Sequence, residues 1–311
     1  MSKPTAPTEK TFSSFTKDQG ANYAQNRPGY HPKLFQTIID HHTSTGGHQD
    51  TLLDIGCGPG ITALALAPHF TNVIGLDPSE GMINTARAST TLPNLRFDIS
   101  TAEDLGSHLT PPIPDSSVDI ITASTAAHWF NMPLFWPRAA RVLKPGGSVA
   151  IWTTGAVSTH PDMPNHTAIQ AAIDAIEERE LKPFFEPGNL LTRNMYLDLG
   201  LPWTVDPKVE DFERESFFRK EYGPDEGNSE EFFVGGGMEV NLDMMEKVFG
   251  TMSPVQRWRE AYKEKVGTEG DVVKLMRREI ERLLREVGVE EGQMICKGSM
   301  RGVLLIIKKK A

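Results

Sequence analysis

The chain has 311 residues, of which 39% are hydrophobic and 23% charged, enough for one large domain or for a core domain with a smaller cap. Its net charge of −9 argues against gripping a phosphate backbone, which takes clustered Lys and Arg. Two distant cysteines, Cys57 and Cys296, make neither a disulfide framework nor a zinc site, and no apolar run approaches the length of a bilayer span.

The polar opening stretch, residues 1–10, lacks the apolar core of a signal peptide, so a cytoplasmic protein is expected. Residues 1–20 read as a flexible arm. A helix is predicted over 32–41, where Leu34, Phe35, Ile38 and Ile39 recur at helical spacing. From residue 51, apolar runs predict strands at 51–55, 73–76, 95–99, 118–123 and 148–153. Helical patterns at 61–70, 79–88 and 133–143 separate them. This alternation implies a parallel sheet with right-handed crossovers. Beyond residue 154 the pattern turns mostly helical, over 165–180, 242–249, 254–265 and 271–287. A sixth strand is expected near 212–219 and a last one at 303–308. The acidic, glycine-containing segment 223–237 reads as a mobile linker. The predicted organisation is an α/β core over 21–160, a helical cap over 161–300, and a closing strand with a basic tail over 301–311.

The strongest chemical signal is Leu53-Asp54-Ile55-Gly56-Cys57-Gly58-Pro59-Gly60, at the end of the first strand and the start of a helix. Glycines there let the backbone turn sharply and let a ligand approach the main chain. The spacing is G-x-G-x-G. A dinucleotide fingerprint places its third glycine one residue later, where this chain has Ile61, so a nucleoside without a diphosphate is favoured. The second strand ends in Asp77, where a carboxylate can accept hydrogen bonds from both ribose hydroxyls.

These residues carry a resemblance. The segment Asp54 to Gly60 resembles the first motif of class I S-adenosylmethionine-dependent methyltransferases. Asp77-Pro78-Ser79 with Met82 resembles the second motif, and Ala102-Glu103-Asp104-Leu105 the loop bordering the adenine. The stretch from Arg141 to Gly147 resembles the turn before the fifth strand. More narrowly, Arg27-Pro28-Gly29-Tyr30, Ala127-His128-Trp129-Phe130 and Thr251-Met252-Ser253 resemble the fungal trans-aconitate methyltransferase-like group, which commonly has Trp where this chain has Met252. The resemblance implies a Rossmann-like, mostly parallel seven-stranded sheet with a helical cap inserted late in the chain. It implies S-adenosylmethionine as cofactor, with S-adenosylhomocysteine as product. The implied reaction is O-methylation of a small carboxylic acid such as trans-aconitate.

Cofactor contacts are expected from Gly56, Cys57, Gly58, Asp77, Pro78, Met82, Ala102, Glu103 and Ser124. Asp54 and the Gly56 backbone suit the methionine ammonium, and Arg27 with Tyr23 suits its carboxylate. Thr101 stands where many relatives carry an Asp, which shifts adenine recognition toward Ala102 and Glu103. Methyl transfer from a sulfonium needs positioning and exclusion of water but no metal. A carboxylate acceptor needs no base; a hydroxyl does, and His128 is the catalytic candidate. His128, Trp129, Arg193 and Trp258 are candidate substrate contacts, as is Arg257, with Phe130 as an apolar wall. Plain core packing competes for His128, Trp129 and Met82, and a turn role before Pro78 competes for Asp77. Alternative functions are O- or N-methylation in natural-product biosynthesis, or cofactor binding by an inactive regulator. The glycine spacing disfavours a nicotinamide oxidoreductase. The expected partner is a small-molecule substrate, without nucleic acid or membrane, and no feature points to an oligomeric state.

Overall fold

The apolar runs of the first half become strands buried on both faces, as a parallel sheet covered by helices requires. The computed structural model describes Thr16, Gly20 and residues 29–311. Its elements are α1 (Pro32–Ser44), β1 (Thr51–Ile55), α2 (Ile61–Leu66), β2 (Asn72–Asp77), α3 (Glu80–Ala88), β3 (Leu95–Ile99), β4 (Val118–Ser124), α4 (Met132–Val142) and β5 (Leu143–Thr159). There follow α5 (His166–Ile176), α6 (Pro187–Arg193), β6 (Phe212–Tyr222), β7 (Gly237–Asn241), α7 (Leu242–Gly250), α8 (Ser253–Ala261), α9 (Val272–Glu286) and β8 (Ile295–Lys309).

The sheet order is β3-β2-β1-β4-β5-β8-β6, with β7 pairing on β8. Strands β1 to β5 are mutually parallel, and β8 runs antiparallel to β5, β6 and β7. The expected Rossmann-like, mostly parallel sheet is therefore present. Seven strands lie on one path, and β7 joins as an eighth beside the first half of β8.

Two-residue periodicity divides the core. Leu53, Ile55, Ile121 and Ile151 pack on one face with Phe135 and Trp136 of α4. Leu52, Ile120, Trp152 and Ile306 pack on the other with Leu34 and Ile38 of α1. His42, fully buried on α1, donates through Nε2 to the His48 carbonyl at 2.8 Å and meets the Ser148 hydroxyl through Nδ1 at 2.8 Å. Burial lowers its pKa, so this histidine acts as a neutral strut between helix and sheet.

Most predicted elements are present, with informative differences in the second half. The fifth and last strands extend to Thr159 and back to Ile295. Their extra lengths pair with each other past a register shift between Thr154 and Val157. The sequence expected a mobile linker over 223–237. Instead Phe232 and Phe233 are 1% and 3% exposed, and Phe233 stacks on Tyr30 with ring centroids 5.4 Å apart. A backbone bridge joins Tyr30 to Phe233, and the His31 N–H donates to the Phe232 carbonyl at 2.8 Å. Two adjacent aromatic side chains outweigh the surrounding glycines because each can bury a large apolar area. The helix expected over 165–180 ends as α5 at Ile176, and a π-helical turn, Glu177–Leu181, follows.

Candidate functional site

Strand β1 has β2 on one side and β4 on the other, so the connections leaving β1 and β4 diverge. In an open α/β sheet this opens a crevice at the carboxyl ends of the strands. The glycine loop, Asp77 and Ser124 all end strands at that edge, and all border one cavity of about 880 Å³. Gly56, Gly58 and Gly60 have φ of 61°, 54° and 88°, the left-handed region that glycine enters without penalty. At Gly56 any side chain is also blocked, since a Cβ would stand 2.5 Å from that of Ala126.

Asp77 holds the loop in place. Its carboxylate accepts from the Gly58 N–H at 2.9 Å and from the Ser79 N–H at 2.8 Å. The Ser79 hydroxyl in turn caps α3 by accepting from the Met82 N–H at 3.3 Å. Cys57, Pro78 and Met82 also face the cavity, and burial pushes the Cys57 thiol well up, out of reach of a reactive thiolate. Thr101, Ala102 and Glu103 line the same end. Thr101 is engaged locally, its hydroxyl accepting from the Asp104 N–H at 3.2 Å, while Glu103 accepts from the Asn131 N–H at 2.7 Å.

Asp54 lies beneath the loop, fully buried and outside the cavity wall. Oδ1 accepts from the Thr122 hydroxyl at 2.7 Å, and Oδ2 is buried with no hydrogen-bond partner among the described residues. Burial pushes this carboxyl up to about 7; the Thr122 hydrogen bond works against the rise and the charge of Asp77 adds to it. Tyr23 and Arg27 lie outside the described residues.

His128 is 7% exposed and lines the cavity beside Trp129, with ring centroids 4.6 Å apart. Its Nδ1 meets the Tyr196 hydroxyl at 2.8 Å. Burial pushes the phenol pKa upward. When Tyr196 donates to Nδ1, the ring carries its proton on Nε2. Tyr196 is outside the cavity wall, so the ring's other edge is the one turned inward. Sequence reasoning missed Tyr196, which stands 68 positions from His128 and carries no motif. It also missed Thr125, whose hydroxyl pairs with that of Tyr30 at 2.8 Å on the same wall.

The other substrate candidates separate. Arg193 reaches the wall, paired with Glu177 at 2.6 Å and 4.9 Å above the Phe185 ring. Trp258 does not reach it; the indole is fully buried in the cap and its N–H donates to Glu180 at 3.3 Å. Arg257 is likewise set back, donating to the Phe184 carbonyl at 2.8 Å and pairing with Glu186 at 3.3 Å. In its place Asn189 lines the cavity, tied to the Ser253 hydroxyl at 2.9 Å.

Residues 53–151 match the family model described as "Methyltransferase domain". A protein of Dictyostelium discoideum provisionally named a methyltransferase is 36% identical over 149 residues, 48% of this chain and 52% of that protein. The probable S-adenosylmethionine-dependent methyltransferase CRG1 of Saccharomyces cerevisiae is 33% identical over 138 residues, 43% of this chain and 45% of that one. The chain thus spans about half the length of these curated relatives. A solved structure from Anaeromyxobacter dehalogenans, assigned as a type II methyltransferase without an established activity, shares the fold. It has a TM-score of 0.59 and 23% identity, over 91% of this chain and 97% of that one. Residues 53–151 are a methyltransferase domain of the class I kind, for which S-adenosylmethionine is the methyl donor. Among the described residues no helix is long and apolar enough to cross a membrane.

Proposed function

We propose that the whole chain is a methyltransferase acting on a small organic acid, with a carboxylate oxygen as acceptor. S-adenosylmethionine, when bound, supplies a methyl group activated on a sulfonium, which the acceptor oxygen takes as the carbon–sulfur bond breaks and S-adenosylhomocysteine is left. The left-handed glycine cradle and Asp77 fit the nucleoside, with Cys57, Pro78, Met82, Ala102, Glu103 and Ser124 around it.

The observation that carries the carboxylate reading is the Tyr196–His128 hydrogen bond. With the phenol donating to Nδ1, the ring carries its proton on Nε2 and is a donor there. It holds an anionic oxygen well and cannot accept the proton that a hydroxyl acceptor must lose. A carboxylic acid is already ionised at neutral pH and needs no base. The resemblance to the fungal group makes trans-aconitate the first acid to test. The second reading, a natural-product hydroxyl or amine, draws support from the apolar cap wall. In either case the partner is a small molecule, and the net charge of −9 disfavours nucleic acid.

The test is incubation with S-adenosylmethionine and a panel of acids and phenols, with methyl esters and ethers read by mass spectrometry. Esters are expected, and Tyr196→Phe is expected to lower kcat for them. Asp77→Ala is expected to weaken S-adenosylhomocysteine binding about 100-fold, since it removes charge-assisted hydrogen bonds of about 1.5–3 kcal/mol each. Ethers without esters would overturn the carboxylate assignment, and an intact Asp77→Ala affinity would overturn the nucleoside assignment.

A further inference from the structure

The cavity is chemically two-ended. Its core end carries the glycine loop, Asp77, Glu103, Ser124 and His128, and the cap adds Glu177, Asn189 and Arg193. Its cap end is walled by Met163, Met238, Met245, Met252, Met276 and Met300. With Met82 at the core end, seven of the chain's 12 methionines border one space. The six come from the loop before α5, from β7, α7, the residue preceding α8, α9 and β8. The buried face of a single amphipathic helix would not produce this; separate elements converge with the same flexible, polarizable side chain. Methionine surfaces repack around apolar guests of varied shape.

The charges argue in the same direction. The Lys and Arg side chains among the described wall residues are Arg193 and Lys297. Arg193 is paired with Glu177 at 2.6 Å, and Lys297 with Glu239 at 3.4 Å. Asp77, Glu103 and Glu177 add negative charge to the wall. A compact tricarboxylate would bring further negative charge into a partly desolvated space where both cations already have partners, which is costly.

We propose that the acceptor is a monocarboxylic acid with a long aliphatic body, alkyl or isoprenoid. Its single anionic head lies at His128 and its chain runs along the methionine wall. This rests on the carboxylate reading for the head. The chain assignment rests on the wall alone and can fail separately.

The experiment is calorimetric titration of the S-adenosylhomocysteine-loaded protein with saturated monocarboxylic acids of about 4 to about 14 carbons, kept below micelle formation. Trans-aconitate is run beside them, and ester formation with S-adenosylmethionine is measured in parallel. The dissociation constant is expected to fall about fourfold per added methylene until the chamber is filled. Trans-aconitate is expected to bind no better than the shortest acid. Met252→Glu, at a half-buried wall position, is expected to flatten the length dependence, and Met252→Leu to keep it. Affinity independent of length, or trans-aconitate binding tighter than the eight-carbon acid, would overturn the proposal. Length-dependent binding without ester would support the chamber and sink the carboxylate acceptor. Esters formed at equal efficiency for all lengths would do the reverse.

Discussion

Asp54 occupies a place where a carboxylate is costly to ionise. Burial holds its carboxyl up to about 7, against an ordinary value near 4. The folded chain therefore binds this proton more tightly than the unfolded chain does. By linkage, stability is greatest below the unfolded value and declines as the pH rises from about 4 to about 7, by on the order of 4 kcal/mol over the window. Asn at this position cannot ionise and lacks that slope. Without cofactor, Asp54→Asn is expected to gain in melting temperature relative to the parent between pH 5 and pH 8. Parallel shifts at the two pH values would show that Asp54 is ionised in the fold. At this scale the sequence was informative wherever a residue closes a strand at the crevice. Gly56, Asp77, Ser124 and His128, each named for its place at or after a strand end, all border the cavity. Tyr196 was not named, because its bond to His128 depends on a distant turn where the residue itself has a φ of 57°.

Among the elements, α8 shows how an amphipathic pattern can be misread for function. Its Trp and Arg residues looked like substrate contacts, yet the helix turns Trp258 inward, against Val255, Val272, Val273 and Met276. Trp258→Ala is expected to cost about 3–5 kcal/mol in urea unfolding, the usual price of emptying a large aromatic site. Trp258→Phe keeps most of the ring volume and is expected to leave KM for the acid within about twofold, since the indole is outside the wall. A large KM change in that variant, with stability retained, would return Trp258 to the binding site. The strands of the core were legible because a parallel sheet buries both faces and writes continuous apolar runs. The extensions of β5 and β8 were hidden because polar and glycine residues interrupt the apolar pattern over Gly155 to Thr159 and Ile295 to Gly302; they pair with each other, and β8 there also pairs with β7. Helix α6, seven residues long, is too short for periodicity to declare.

For the molecule as a whole, these extensions decide how the cap relates to the core. The sequence suggested a helical unit inserted into an α/β domain, which would permit the two to melt apart. In the structure one strand, β8, pairs with β7 through its first half, with β6 through its second, and with β5 along both. The cap cluster around Met245 therefore includes Cys296 of the same strand that carries Val303, Leu305 and Ile307 into the core. Opening the cap would strip β7 and α7 from a strand that the core needs intact. Unfolding is accordingly expected to be one transition, with equal calorimetric and van't Hoff enthalpies. Because the cavity draws walls from both halves, a ligand filling it should raise that single transition without splitting it, by about 2.7 kcal/mol at 100 times its dissociation constant. Two resolved transitions, only one of them moved by S-adenosylhomocysteine, would show that the cap folds on its own and that β8 is not the strand that couples them.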